Sequence, residues 1–207
     1  MARSRGVDVI LDAAHSWGQL PLDMAGLDVD FAGFNLHKWI GAPPGLGFIY
    51  IRRARLADID VHMGDKDWPL DDIRSRIHTG TLNFAAALTV PEALELHEAI
   101  GVTAKHARLS YLRNYWVERI ADIRAIQILT PNDPLMHAGI TSFRIRGKIS
   151  QTDTSAIVAR LRDEFKVLTV RRSGVAAGEC IRVCPAIYTT EAELDRLVAA
   201  LSAVAAS

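Results

Sequence analysis

The sequence has little that would mark a specialised surface or compartment. Only two of its 207 residues are cysteine, Cys180 and Cys184. Four apart, with no second pair and no nearby histidine, they supply too few ligands for a structural zinc and no disulfide framework. They read as reduced thiols. Neither sign of charge is in excess, since 24 Lys+Arg balance 24 Asp+Glu for a formal net charge of zero. That removes the electrostatic footprint of a protein whose partner is a nucleic acid or an anionic membrane surface. No apolar run reaches the roughly 18 residues of a spanning helix. The opening Met1-Ala2-Arg3-Ser4-Arg5-Gly6 is not followed by the apolar stretch of a secretory signal. No repeat or low-complexity tract interrupts the chain. What remains, at 49% hydrophobic and 23% charged residues, is one ordinary globular unit or two small ones, with a cytoplasmic default address.

Residues 7–12 are short, β-branched and apolar, and they stop at Ala13-Ala14 before His15, the pattern of a buried strand. A second run of this kind covers residues 29–36. The intervening residues 13–28 are long enough for the crossover of a dozen or more that a parallel neighbour requires. A third run, 45–51, follows after only the Pro43-Pro44 turn, too short for a crossover, so the sheet is expected to be mixed. From Asn83 to about Arg124 the pattern is helical. Pro91 suits a first helical position, and Leu109, Leu112, Trp116, Ile120 and Ile123 recur at helix spacing, with Gly101 dividing the stretch in two. Beyond Pro131 and Pro134 the pattern predicts a strand at 140–145, a helix at 154–165, strands at 167–170 and 180–184, and a final helix. That helix opens on the capping-box pattern Thr190-Glu191-Ala192-Glu193 and carries Leu194, Leu197, Val198 and Leu201 on one face. The change of character sets a boundary near residue 130.

Asp12 and Lys38 both fall at the carboxyl ends of strands placed side by side, which is where open α/β sheets bind ligands. Around them stand Asp12-Ala13-Ala14-His15 and Asn35-Leu36-His37-Lys38-Trp39; further on lie His78-Thr79-Gly80-Thr81 and the run from Ile181-Arg182 to Tyr188-Thr189-Thr190. Taken singly, each has a plain reading. Asp12 is a helix cap or turn former, Lys38 a surface lysine, and His15 and His37 hydrogen-bonded structural histidines. Thr81 caps the helix that begins near Asn83, and Arg182 is an edge arginine paired with Glu179. The joint pattern favours a site, as does the string His37-Lys38-Trp39 between an apolar strand and Gly41-Ala42-Pro43-Pro44-Gly45. Trp17, Trp68 and Trp116 read as packing residues, and Gly45-Leu46-Gly47 lacks the third glycine and following helix of a nucleotide loop.

On these strings the chain resembles the class V aminotransferase family of pyridoxal-phosphate enzymes, the group that includes cysteine desulfurases and isopenicillin N epimerase. Its epimerase-like branch is the nearest in character, and the resemblance runs from Val7 to the last helix. It implies an α/β fold, a partial fold type I large domain with a mixed sheet (residues 1–100), a connecting helix (101–130) and a small C-terminal α+β domain (131–207). It implies pyridoxal 5′-phosphate as cofactor and Lys38 as the lysine that forms the Schiff base, which requires that amine neutral at some stage although a free lysine titrates near ~10.4. Asp12 would pair with the pyridine nitrogen and keep it protonated. His15 would lie over or beside the ring, and His37 would reach the phosphate. Gly80-Thr81 resembles the Gly-Thr that reaches the phosphate of the partner subunit's cofactor, which implies a homodimer with shared sites. Arg182 aligns with the arginine that binds the carboxylate of an amino-acid substrate in a bidentate fork.

The expected reaction is at the α-carbon of an amino acid: epimerisation, elimination or transamination. Desulfuration is disfavoured because residues 171–179 contain no cysteine where the family's desulfurases carry a reactive one. Arg171, Arg172, Asn83 and Phe84 are candidates to face the substrate side chain. Two positions depart from the pattern: Cys184 stands where the family has serine, and Tyr188-Thr189-Thr190 replaces its Tyr-Asn-Thr. Family members carry, before the aspartate, a further half with a glycine-rich phosphate cradle and an aromatic residue that stacks on the ring. The chain therefore looks like the carboxyl-terminal portion of such an enzyme, which predicts an open sheet edge, a bare apolar face, and oligomerisation or capture of a partner. The alternative is a catalytically incomplete remnant that serves as a folded or oligomerising module. A two-domain α/β binding protein without covalent chemistry is the plainer reading if the resemblance fails.

Overall fold

A computed structural model describes residues 2–64, 67–78 and 80–206. The chain divides into two compact units, Met1–Val102 and Thr103–Ser207.

In the first unit three strands, β1 (Ile10–Asp12), β2 (Phe31–Asn35) and β3 (Gly47–Ile51), form a sheet in that order. β1 and β2 are parallel, with Asp12 opposite Gly33; β2 and β3 are antiparallel, with Asn35 opposite Gly47. The mixed sheet expected from the connection lengths is thus present, in strands shorter than the apolar runs. Side chains alternate across the pleat. Ala32 and Phe34 turn to a core with Ala13 and Val29, joined by Leu11, Trp17 and Tyr50. By the same register Ile10, Asp12, Gly33, Asn35 and Ile49 share the other face.

The crossover from β1 to β2 holds one short helix, α1 (Met24–Leu27), whose first turn is capped by the Asp23 carboxylate. At the amino end of β2 the buried Asp30 accepts the Val9 N–H at 2.9 Å through Oδ2, while Arg3, Arg52 and Arg55 stand 3.5, 3.7 and 3.4 Å from Oδ1. Charge is therefore compensated at the end of the sheet away from Asp12. Two 3-10 turns, Arg53–Asp58 and Ile73–Arg76, precede α2 (Phe84–Ala87) and α3 (Val90–Ile100). Pro91 lies in the first turn of α3, where its missing N–H costs nothing. Val90, Ala93 and Leu94 pack on Leu36, Ile40 and Ala42, so α3 braces the turn that follows β2.

The second unit carries α4 (Val102–Arg119), β4 (Ile126–Ile128), β5 (Thr141–Ile145), α5 (Gln151–Asp163), β6 (Val170–Arg172), β7 (Cys180–Val183) and α6 (Glu191–Ala205). Its sheet has the order β4-β5-β7-β6 and is antiparallel throughout. Phe143, Ile181, Leu161, Leu197 and Leu201 are buried in one core with Trp116, which meets the Phe143 ring edge-on at 6.3 Å. Both α5 and α6 open on complete capping boxes, Ser150 with Asp153 and Thr190 with Glu193. The second of these is the box read from the sequence. The first places the start of α5 at Gln151, earlier than hydrophobic spacing gave. Strand β6 likewise lies later than the apolar run at 167–170.

Candidate functional site

Parallel pairing of β1 with β2 brings two turns to one end of the first sheet. After β1 the chain turns at once. Asp12 Oδ1 accepts the Ala14 N–H at 2.9 Å, and the Ala13 N–H donates to the Gly33 carbonyl at 2.9 Å. After β2 it turns again, and Asn35 joins the two. Its Nδ2 donates to the Ala14 carbonyl at 3.0 Å, and its Oδ1 accepts the Lys38 N–H at 3.3 Å. Gly18 allows the close approach: at φ +78°, a Cβ there would meet Ile40 at 2.8 Å and the Trp39 backbone at 3.1 Å.

The result is a contact between the two turns' side chains, with Lys38 Nζ lying 3.3 Å from His15 Nε2. With Lys38 as an ammonium, which can only donate, Nε2 is the acceptor and the imidazole proton sits on Nδ1. A doubly protonated imidazole would repel it. His37 is exposed on the same turn. Asp12 Oδ2 makes no hydrogen bond among the described residues, which leaves one carboxylate oxygen for a cationic N–H.

A cavity of about 1130 Å³ opens over the sheet face that carries Asp12. Asp12, Asn35 and Ile49 line it from the sheet, and Trp68, Arg74 and His78 from the segment after β3. Arg74 stacks over the Trp68 ring at 3.5 Å and is fixed by Asp72 Oδ2 at 2.6 Å. Those hydrogen bonds hold the Asp72 carboxyl at about 2. Lys38, His15 and His37 are not among the lining residues; Asn35, which lines the cavity and bonds both turns, connects them to it.

Gly80 also lines this cavity, with φ +58° and open space around its Cα; Thr79 is outside the described residues. Thr81 does not cap the helix that follows. Asn83 does so, its Oδ1 accepting the Ala86 N–H at 3.1 Å. In the second unit Arg182 lies on β7 opposite Ser142 of β5, on the sheet face away from Phe143 and Ile181. It is not paired with Glu179. That carboxylate accepts from Arg171 at 2.6 and 2.7 Å and from Thr154 Oγ1 at 2.7 Å, and the Arg171 bonds first of all hold it below the usual carboxylate range. Arg182 Nε is buried and without a hydrogen-bond partner. Cys180 is buried and Cys184 exposed.

Sequence reasoning passed over Asn35 and the Trp68/Arg74 roof. The first stood inside a quoted string with a signal of its own, an amide three residues before the lysine. The second is set by contacts far apart in sequence and had none.

The aminotransferase class-V family matches residues 1–197. The chain belongs to that family. Over 98% of its length it is 28% identical to the isopenicillin N epimerase of Streptomyces clavuligerus, covering 54% of that protein. Among solved structures, a cysteine desulfurase from Escherichia coli superposes with a TM-score of 0.81 at 21% identity, covering 98% of this chain and 52% of that one. A variant of the enzyme C-DES, with glycine covalently linked to its pyridoxal-phosphate cofactor, superposes at 0.76 with 24% identity, covering 95% of this chain and 51% of that one. The fold is therefore that of the pyridoxal-phosphate-dependent class V enzymes, and the chain spans about half the length of the relatives it matches. Among the described residues no helix is long and apolar enough to cross a membrane.

Proposed function

We propose that the first unit binds pyridoxal 5′-phosphate covalently at Lys38 and that the chain serves a class V reaction at the α-carbon of an amino acid. The observation that carries this reading is the Lys38 Nζ to His15 Nε2 contact at 3.3 Å, held by Asn35 beside a cavity that Asp12 lines. The donor set fits such a group: a carboxylate with a free oxygen, an amine and imidazoles stand at the carboxyl ends of two parallel strands. When bound, the cofactor supplies an electron sink for the charge that develops at a substrate α-carbon.

The roles of the chain's own residues follow from their chemistry. Lys38 must lose a proton to become a nucleophile, and His15 Nε2 is the acceptor in reach. Asp12 would supply the carboxylate that pairs with a protonated ring nitrogen. His37 and Gly80-Thr81 offer an imidazole and backbone N–H groups to a phosphate, the latter toward a second copy in a homodimer. Arg182 offers its fork to a substrate carboxylate. Residues 171–179 hold no thiol, which favours epimerisation, elimination or transamination over desulfuration.

The test is the near-visible spectrum of the purified chain with pyridoxal phosphate, followed by borohydride reduction and peptide mapping, with Lys38→Ala alongside. The expected result is a band that disappears in the variant and a reduced adduct on Lys38. An adduct scattered over surface lysines, or none, would leave the chain as a catalytically incomplete remnant, the reading that its half-length match to its relatives otherwise supports.

A further inference from the structure

Away from these residues, the second unit contains a guanidinium that its own chain leaves half used. Arg113, on α4, is 1% exposed. Its Nη1 donates to Asn114 Oδ1 at 2.8 Å and to Asn132 Oδ1 at 2.7 Å. Nε and Nη2, the other edge of the same planar group, are buried with no partner. No carboxylate pairs with Arg113 among the described residues, although a buried, uncompensated charge is among the least favourable arrangements in a fold. Two further orphans lie in the same unit, His106 Nδ1, two helical turns before Arg113, and His137 Nδ1 in the loop before β5. His137 feels the charges of both Arg113 and His106, and burial first, then Arg113, holds its imidazole below the usual range.

The acids facing this group are Glu118 and Asp133, and both are exposed. Asp133 Oδ1 is taken by the Leu135 N–H at 2.9 Å. Lys105, next to His106, is also buried, and burial lowers its ammonium from its ordinary range. Around Arg113 the buried polar atoms left without a partner are thus its own Nε and Nη2 and one nitrogen each of His106 and His137.

We propose that this unit holds a small oxyanion, of carboxylate or phosphate type, on the Nε/Nη2 edge of Arg113, with His106 and His137 beside it. The free edge presents two parallel N–H groups, the arrangement that matches two oxygens of one anion. Asn114 and Asn132 fix the fork so that little side-chain freedom is lost on binding. His106 and His137 are half-buried and Asn132 is exposed, so the group lies near the surface of the unit. None of these residues belongs to the proposed cofactor site.

The test is thermal unfolding of the whole chain with increasing formate or phosphate, sodium chloride holding ionic strength constant. The expected result is a saturable rise of about 3–6 °C in the midpoint. In Arg113→Met, which keeps the volume and removes the fork, the rise vanishes while the ion-free midpoint is unchanged or higher. Asn132→Ala keeps the fork but removes one of the two bonds that fix Nη1, and half-saturation moves about tenfold upward. An equal rise in Arg113→Met, no rise for either ion in the unaltered chain, or an unmoved half-saturation in Asn132→Ala overturns the proposal. The Asn132→Ala arm decides alone if the methionine variant does not fold.

Discussion

The two units differ in what their apolar residues do. In the second, α4, α5 and α6 and a four-stranded sheet close on one continuous core around Trp116 and Phe143. In the first, the buried apolar residues divide into two small clusters, around Phe34 and around Ile40. Among the described residues β1 is an edge strand, paired only with β2. The lesson is a separation of tasks: the larger apolar core belongs to the second unit, and the turns that carry Asp12, His15 and Lys38 sit on a thinner scaffold. Such sites are drawn from the less stable parts of a fold.

Four substitutions break or sharpen that contrast. Phe143→Ala should cost about 3–5 kcal/mol, since it empties the centre of the second core. Guanidinium unfolding followed by tryptophan fluorescence measures the loss, and a matching loosening of the first unit in amide exchange would erase the contrast. Asn35→Ala removes the bonds to Ala14 and Lys38 and leaves their backbone groups without that partner, at about 1–2 kcal/mol. Faster exchange should be confined to residues 12–42. Thr190→Ala removes the amino-terminal cap of α6 for about 1 kcal/mol, with the first unit untouched; urea titration reads it.

The smallest effect is one of pH. The folded-state pKa of Glu179 is depressed by Arg171 and Thr154. Its stabilising contribution is therefore present above the unfolded value near ~4.3 and is lost as pH falls through the folded value. Glu179→Gln should narrow its stability gap to the parent chain as pH falls below about 4. Asp153 and Glu193, lowered chiefly by their capping bonds, keep part of the acid slope in both proteins.

Much of the architecture was legible where the signal was local. The length of residues 13–28 decided the parallel pairing of β1 and β2, the short Pro43-Pro44 connection decided β3, and Thr190 and Glu193 marked the start of α6. What escaped was set by distant partners. β4 is three residues long and exists only through pairing with β5. The Glu179 carboxylate looked available to Arg182 three residues on, but Arg171 takes it from the neighbouring strand β6 and Thr154 from α5. Thr81 and Asn83 are both good caps by type, and the chain's path selects Asn83. The Lys38 to His15 contact needed both turns in place; the strings predicted the neighbourhood, whereas Asn35 and Gly18 supply the geometry.

The central claim is that cofactor chemistry belongs to the two turns of the first unit. Hydrogen exchange of the chain with and without pyridoxal phosphate tests it most directly. The account predicts new protection in peptides covering residues 10–19 and 33–42, none in the core of the second unit, and loss of that protection in Lys38→Ala. Protection confined to the second unit, or unchanged in Lys38→Ala, would contradict it.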